Sequence, residues 1–126
     1  MTVDAFVRHF IQLLEKKDLD AACALIADDC EYDNVPMRKV FGPEGVRETL
    51  APFVASCSEI DWVIHRQTSS GDTTEGTVFN ERTDRFKMGD RWVEIPLVGV
   101  FEVKNEKITL WRDYFDLAMF QKSLAG

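Results

Sequence analysis

The amino-acid sequence predicts an α+β domain in which N-terminal helices pack inside a strongly curved, mostly antiparallel sheet. Apolar residues recur at helical spacing as far as about residue 56 and alternate with polar residues, as in strands, from Glu59 onward. Turn sequences at 69–72, 88–90 and 105–106 separate the alternating runs. Helices followed by a meander of long strands are typical of the α+β class. A sheet that curves around a helix is expected to leave an apolar cavity at its mouth.

Four helices are expected, three of them before the strands. The apolar spacing places the first at 3–17 and the second at 18–27. The third, at 42–56, begins with a proline that suits a first helical turn. A short helix at 117–124 closes the chain. Between the second and third helices, the segment EYDNVP at 31–36 is expected to be extended, because the residue before a proline avoids helical geometry.

The alternating part of the chain predicts four strands. The first begins at Glu59, and the others cover 73–86, 91–103 and 107–116. Pro96 lies inside the third of these strands, where it predicts a sheet edge or a bulge, because proline cannot donate a ladder hydrogen bond.

Composition and charge limit the classes of function. The chain has 126 residues, enough for a real core but too few for two domains, so 1–126 is expected to form a single domain. Its 15 basic and 22 acidic residues give a net charge of −7, which argues against nucleic acid or an anionic membrane surface as a partner. No apolar run approaches the ~18 residues that a membrane span needs.

The cysteines and histidines form no metal-binding motif. Cys23, Cys30 and Cys57 are an odd set without close ligand spacing, and His9 and His65 are the only histidines. The chain opens with MTVDAFVRHF, which lacks the basic and apolar regions of a signal peptide. We therefore expect a cytoplasmic protein without a metal site, whose reduced thiols fill the core.

Charged side chains fall on strand faces that should be buried. Alternation places the following residues on the inner face of the strand at 73–86: Val78, Asn80, Arg82, Asp84 and Phe86. It also places Asp113 between two inward aromatic residues of the last strand. A buried ionised carboxylate is costly without a partner. One guanidinium can donate to two carboxylates, which predicts a triad Asp84–Arg82–Asp113.

Such a triad is suited to acid–base chemistry. If both acids ionise, its charge is −1, so in a dry pocket one carboxylate should keep its proton more readily than the other. A protonated acid beside an ionised one is what general acid–base catalysis requires. A buried Arg with two Asp is also a common structural ion-pair network, and that interpretation stays open here.

The extended segment EYDNVP adds uncharged polar groups. Tyr32 and Asn34 share one side of it, where they could hold a water molecule together with Asp113, while Asp33 points to the other side. The alternative is that Tyr32 and Asn34 belong to an ordinary loop whose polar groups are hydrogen-bonded, with Glu31 and Asp33 in solvent. The residues expected to line the cavity and bind substrate are Met37, Ile95, Leu97, Trp111 and Phe115.

Three segments of this sequence resemble those of the limonene-1,2-epoxide hydrolases. They are YDN at 32–34, NERTD at 80–84 and WRDYFD at 111–116. The segment LVGVFEVKNEKITLW at 97–111 resembles the strand pair that precedes the last motif in that family. The likeness covers about residues 31–120, and NERTD together with WRDYFD is its specific part.

This resemblance implies a cone-shaped nuclear-transport-factor-2-like (cystatin-like) fold, usually a homodimer, and a hydrolase that opens epoxides in one step without a cofactor. It implies that Asp113 is the general base for a water that Tyr32 and Asn34 also hold. Asp84 would be the general acid, and Arg82 would bridge the two carboxylates. The expected partners are then a small apolar epoxide and water.

Two other classes of function remain open from the sequence. One is a ketosteroid-isomerase-like or polyketide-cyclase-like enzyme on the same fold, which needs a lone base and an oxyanion donor. The other is a small-ligand-binding module without catalysis, since a fold does not determine a function.

Overall fold

The computed structural model describes all 126 residues. Its helices are α1 (Val3–Glu15), α2 (Leu19–Cys23), α3 (Gly42–Ser56) and α4 (Leu117–Ala125). Its strands are β1 (Ile26–Asn34), β2 (Lys39–Phe41), β3 (Glu59–Gly71), β4 (Glu75–Met88), β5 (Arg91–Lys104) and β6 (Lys107–Phe115). None of the four helices combines the length and hydropathy that crossing a bilayer would require.

The six strands form one sheet in the order β2-β1-β6-β5-β4-β3. The pairing of β1 with β6 is parallel, and all other neighbours are antiparallel. The predicted α+β class with a mostly antiparallel sheet is therefore confirmed. The parallel pair brings the end of β1 beside the end of β6, so that Asn34 is the register partner of Asp113.

The core lies between helix α1 and the inner face of the sheet. Phe10 of α1 is fully buried, with its ring edge-on to Phe101 of β5 and to Trp111 of β6 at centroid distances of 6.2 and 5.2 Å. Aromatic rings prefer such edge-to-face contacts, which add to the stabilisation from burial. This packing holds α1 against the centre of the sheet.

The second helix is shorter than the sequence predicts. It ends at Cys23, and residues 26–27, which the pattern assigns to the helix, begin strand β1 instead. Ile26 pairs with Ile108 of β6, whose amide donates to the carbonyl of Leu25 at 2.8 Å. Ile26 is buried in this position, so tertiary pairing overrides a weak helical preference. The three-residue strand β2 was also not expected from the sequence.

Pro96 lies where β5 becomes a sheet edge, as predicted. The pairing of β5 with β6 starts only at Leu97, so the preceding part of β5 has a strand neighbour on the β4 side alone. Helix α4 covers the open side, because Ser123 Oγ accepts a hydrogen bond from the Glu94 amide at 3.0 Å.

Strand β3 has a bulge at His65 that changes which residues face inward. Trp62 and Ile64 pair with Asp84 and Arg82, but the register shifts before Arg66, and Gln67 pairs with Asn80. An extra residue in one strand turns every later side chain to the opposite face. Gln67 therefore joins the inner face, although simple alternation from Trp62 would place it outside.

Candidate active site

A row of polar and small residues crosses five strands of the inner face. In sheet order the row consists of Gln67, Asn80, Gly99, Asp113 and Asn34. Arg82 and Asp84 follow Asn80 on the same face of β4, two and four residues further along. Asp113 lies on β6, two strands away from β4. The side chain of Arg82 reaches it by extending back over Gly99 of the intervening strand β5.

The Arg82 guanidinium joins both acids, as the sequence predicts. Nε donates to Oδ1 of Asp84 at 3.0 Å, and Nη2 donates to Oδ2 of the same carboxylate at 3.1 Å. Nη2 also donates to Oδ2 of Asp113 at 3.0 Å. Nη1 donates to Oδ1 of Asn80 at 2.7 Å. Three residues thus hold the guanidinium in one plane.

The Arg82 guanidinium is completely buried, so its hydrogen-bond donors depend on protein acceptors. Arg82 is 0% exposed, and the rings of Trp62 and Phe101 lie 5.3 and 5.6 Å from its Cζ atom. Burial by itself would lower the pKa of Arg82, but the carboxylates of Asp113 and Asp84 outweigh that effect, and the pKa is raised. Arg82 therefore stays charged, and removing either acid would leave part of a buried charge without its partner.

Burial raises the pKa of both carboxyl groups. Burial is the largest influence on the pKa of Asp84 and raises it. Arg82 lowers this pKa and the charge of Asp113 raises it further, and the net result is a pKa of about 6. Burial also raises the pKa of Asp113, against the opposing influence of Arg82 and of the Trp111 indole. Because the two acids are bridged by one guanidinium, their protons leave in steps that belong to the pair.

Asp113 is held on its other side by an indole. Trp111 Nε1 donates to Oδ1 of Asp113 at 3.1 Å, and the Trp111 ring stacks on Tyr32 at a centroid distance of 4.2 Å. Burial and the nearby Asp113 charge raise the pKa of Tyr32, so its phenol remains protonated and able to donate. Tyr32, Asn34 and Asp113 all line the same cavity, which brings the three predicted water-holding groups together.

That cavity has a volume of about 460 Å³, and eleven of its seventeen lining residues are hydrophobic. Both acids lie in its wall together with four of the five residues predicted to bind substrate: Met37, Ile95, Leu97 and Phe115. The fifth, Trp111, does not line the cavity: it is fully buried behind the wall, between Tyr32 and Phe101. Its indole holds Asp113 rather than facing the cavity.

Other parts of the wall were not identified from the sequence. Trp62 of β3, Leu50 and Phe53 of α3 and Phe120 of α4 also line the cavity. Their apolar character marked them as core residues, and nothing in the sequence distinguished a core position from a cavity wall. Gly99 was missed too, although a lone glycine inside a strand is a known sign of a close approach.

The expectation that Asp33 is solvated is also wrong. Asp33 is 8% exposed and accepts from Arg112 Nε at 2.9 Å, and Glu31 binds the same guanidinium. Arg112 is the register partner of Asp33 across the parallel β1–β6 pair. Asp33 does point away from Tyr32 and Asn34, so the predicted division of the segment between two faces is confirmed.

The chain is similar to known epoxide hydrolases over its whole length. A family model described as the limonene-1,2-epoxide hydrolase catalytic domain matches residues 2–125. Epoxide hydrolase EphG of Mycobacterium tuberculosis is 36% identical over 121 residues, which are 95% of this chain and 78% of EphG. The chain belongs to the limonene-1,2-epoxide hydrolase family. Its general activity is that of an epoxide hydrolase.

Solved structures support the same conclusion. A limonene-epoxide-hydrolase-like enzyme from M. tuberculosis superposes with a TM-score of 0.79 at 32% identity, covering 96% of this chain and 87% of that one. A SnoaL-like polyketide cyclase from Shewanella putrefaciens CN-32 also reaches 0.79, but at 19% identity, with coverage of 95% and 83%. The second likeness concerns the fold alone. The predicted nuclear-transport-factor-2-like fold is confirmed for this family member.

The space at Gly99 yields a test of the site's geometry. A Cβ atom at this position would lie 2.7 Å from Oδ1 of Asp113 and closer still to Nη1 of Arg82. We expect Gly99→Ala to displace the guanidinium, to lower the rate of epoxide hydrolysis severely and to cost about 1–3 kcal/mol of stability through overpacking. Initial rates and urea unfolding measure the two effects.

Gly89→Ala is the matched control for this substitution. Gly89 has a φ of +64° in the β4–β5 turn, and an added Cβ would meet no atom within 4 Å. Alanine there should cost about 1 kcal/mol because of the left-handed backbone, with the rate unchanged. Equal losses of rate in the two variants would contradict a specific role of the space at Gly99.

Proposed function

We propose that this protein adds water to a small apolar epoxide of the limonene-oxide type and releases a vicinal diol in one step, without a covalent intermediate or a cofactor. The observation that supports this most directly is the coupled acid pair, bridged by Arg82 in the wall of a largely apolar cavity. The cavity volume lies within the usual range for small-ligand sites.

In the proposed reaction, Asp113 is the general base. Its carboxylate takes a proton from a water molecule that Tyr32 and Asn34 also hold, and the water oxygen forms a bond to one epoxide carbon. Holding water and epoxide in a fixed orientation removes much of the entropic cost of bringing them together. Asn34 neighbours Asp113 in the sheet, which is consistent with a shared water.

Asp84 is the proposed general acid. It gives its proton to the epoxide oxygen as the carbon–oxygen bond breaks, so no free alkoxide forms. Because the pKa of Asp84 is raised to about 6, far more of this acid is protonated near pH 6 than in an ordinary aspartate. After the reaction Asp113 bears the proton and Asp84 the charge, and one proton returns to Asp84 before the next turnover.

The two other classes of function receive less support. An isomerase-like or cyclase-like enzyme would need one base, and it would have no use for a guanidinium bound between two acids. A ligand-binding module would have no need for a coupled acid pair in its cavity wall. The family assignment favours neither of them.

Both acids should be indispensable if this mechanism is correct. We expect Asp113→Asn and Asp84→Asn each to lower kcat by about 10²–10⁴-fold, the usual contribution of a general acid or base. Asp61→Asn is the control, because Asp61 pairs with Arg85 at 2.7 Å and does not line the cavity. Circular dichroism verifies that each variant folds. A rate near that of the wild type in either site variant would show that the assigned roles are wrong.

Direct attack by water has its own isotopic signature. In a single turnover with excess enzyme in ¹⁸O-labelled water, we expect the label in the diol and none in the protein. Mass spectrometry of the peptides that contain Asp84 and Asp113 provides the control. Label in either carboxyl group would mean that a covalent ester had formed and been hydrolysed.

We also propose that the protein is a cytoplasmic homodimer that associates through the outer face of the sheet. Three large apolar side chains are exposed there: Phe79, Val98 and Tyr114. Val98 and Tyr114 are register partners on neighbouring strands, so they form one patch. All three cysteines are buried free thiols, as is usual in a reducing compartment.

A single charge tests the proposed dimer surface. Tyr114→Glu places a carboxylate in the patch and should convert the dimer to a monomer, measured by sedimentation equilibrium. Phe41→Glu is the control, because Phe41 is 61% exposed but lies on the edge strand β2, level with Leu110 and separated from β6 by strand β1. A monomeric wild-type protein, or dissociation by both substitutions alike, would contradict this surface.

A further inference from the structure

Asn80 is the only uncharged partner of the Arg82 guanidinium. Its Oδ1 accepts from Nη1 at 2.7 Å, the shortest of the four hydrogen bonds that Arg82 donates. Asn80 is 2% exposed and does not line the cavity. It occupies the side of the guanidinium that the two acids leave free.

A chain of side-chain amides fixes the orientation of Asn80. Its Nδ2 donates to Oε1 of Gln67 at 3.1 Å. Gln67 Nε2 in turn donates to the carbonyl of Asp4 at 3.2 Å and to its Oδ1 at 3.3 Å. Ser69 Oγ also donates to the Asp4 carboxylate, at 2.9 Å. The chain thus runs from Arg82 to the first turn of helix α1.

The far end of this chain determines the direction of every hydrogen bond in it. The backbone carbonyl of Asp4 can only accept, so the amide nitrogen of Gln67 must face it. Its oxygen then faces Asn80, whose nitrogen must donate to it. This leaves the oxygen of Asn80 towards Nη1 of Arg82. Rotating either amide by 180° would bring two donors or two acceptors together.

We propose that Asn80 is a positioning residue for the epoxide-opening reaction, and that Gln67 and Asp4 hold it in its active orientation. The inference rests on the proposed function. Asn80 opens the NERTD segment but has no part in the assigned roles of acid, base and bridge, and Gln67 and Asp4 lie outside the three motif segments. Asp84 and Asp113 fix two sides of the guanidinium, and Asn80 fixes the third. With all three in place, the distance between the acid and the base is set by a rigid planar group.

The neutrality of Asn80 matters as well as its shape. The ionisable groups that face Asp84 are Arg82 on its own strand, Asp113 on β6, Tyr32 on β1 and Glu15 on α1. A carboxylate at position 80 would add a third acid around one cation. Like charges disfavour ionisation, so both acids would keep their protons to higher pH.

Two variants with a matched control test this proposal. Gln67→Leu removes the amide that orients Asn80 and leaves the cavity wall intact. Asn80→Asp keeps the shape, adds a charge and cannot donate to Gln67. Gln12→Leu makes the same change as the first variant at an exposed position of α1 where the side chain forms no hydrogen bond. The readouts are kcat, KM, the pH dependence of kcat, and NMR of the Arg82 side chain and the aspartate carboxyl carbons.

We expect Gln67→Leu to lower kcat by about tenfold to a hundredfold with KM changed less than about threefold, since misplacement of a catalytic group by about 1 Å has costs of this size. Its Arg82 Nη signals should merge as the guanidinium gains freedom to rotate. Asn80→Asp should move the alkaline limb of kcat, and the carboxyl titrations, to higher pH by about one unit or more. Gln12→Leu should match the wild type throughout.

Equal effects of Gln67→Leu and Gln12→Leu on kcat and on the Arg82 signals would overturn the proposal, as would an unshifted carboxyl titration in Asn80→Asp. The spectroscopic measurements need no substrate. If the wild type hydrolysed no epoxide in a panel of limonene oxide, cyclohexene oxide and styrene oxide, the proposed function would be wrong. The NMR titrations would still decide whether Asn80 positions Arg82.

Discussion

A positive charge buried at the centre of a sheet is the constraint on which this site depends. Arg82 has no exposed surface, and a buried guanidinium is tolerated only when its donors meet acceptors. The acceptors come from Asp84 and Asn80 on the same strand and from Asp113 two strands away. The charge therefore ties together residues that are more than 30 positions apart in the chain.

The sheet supplies the geometry for this charge compensation. Side chains on one face of a strand repeat every second residue, so Asn80, Arg82 and Asp84 form a continuous line on β4. Gly99 leaves space on the intervening strand, and the Arg82 side chain crosses there to reach Asp113. The parallel pairing of β1 with β6 then adds Asn34 beside Asp113. Strands β4 and β6 thus supply the acceptors of the guanidinium, and β1 places an amide beside one of them.

The sequence predicts the acids better than their surroundings. Strict alternation on β4 and β6 placed Arg82, Asp84 and Asp113 on the inner face, because neither segment contains an irregularity between these residues. The role of Gln67 could not be seen, since the bulge at His65 reverses the faces of β3 and leaves no clear sequence signal. Trp111 was placed on the correct face, but alternation does not distinguish a cavity wall from the layer behind it.

Helix α4 both lines the cavity and covers an open edge of the sheet. Phe120 forms part of the cavity wall, and on the same helix the Ser123 hydroxyl and carbonyl bind Glu94 and Arg91 beside the unpaired edge of β5. An open strand edge is a template for aggregation, so its cover is protective. If this helix were remodelled to admit bulkier substrates, the cavity would widen, but the exposed edge of β5 would make the protein more prone to self-association.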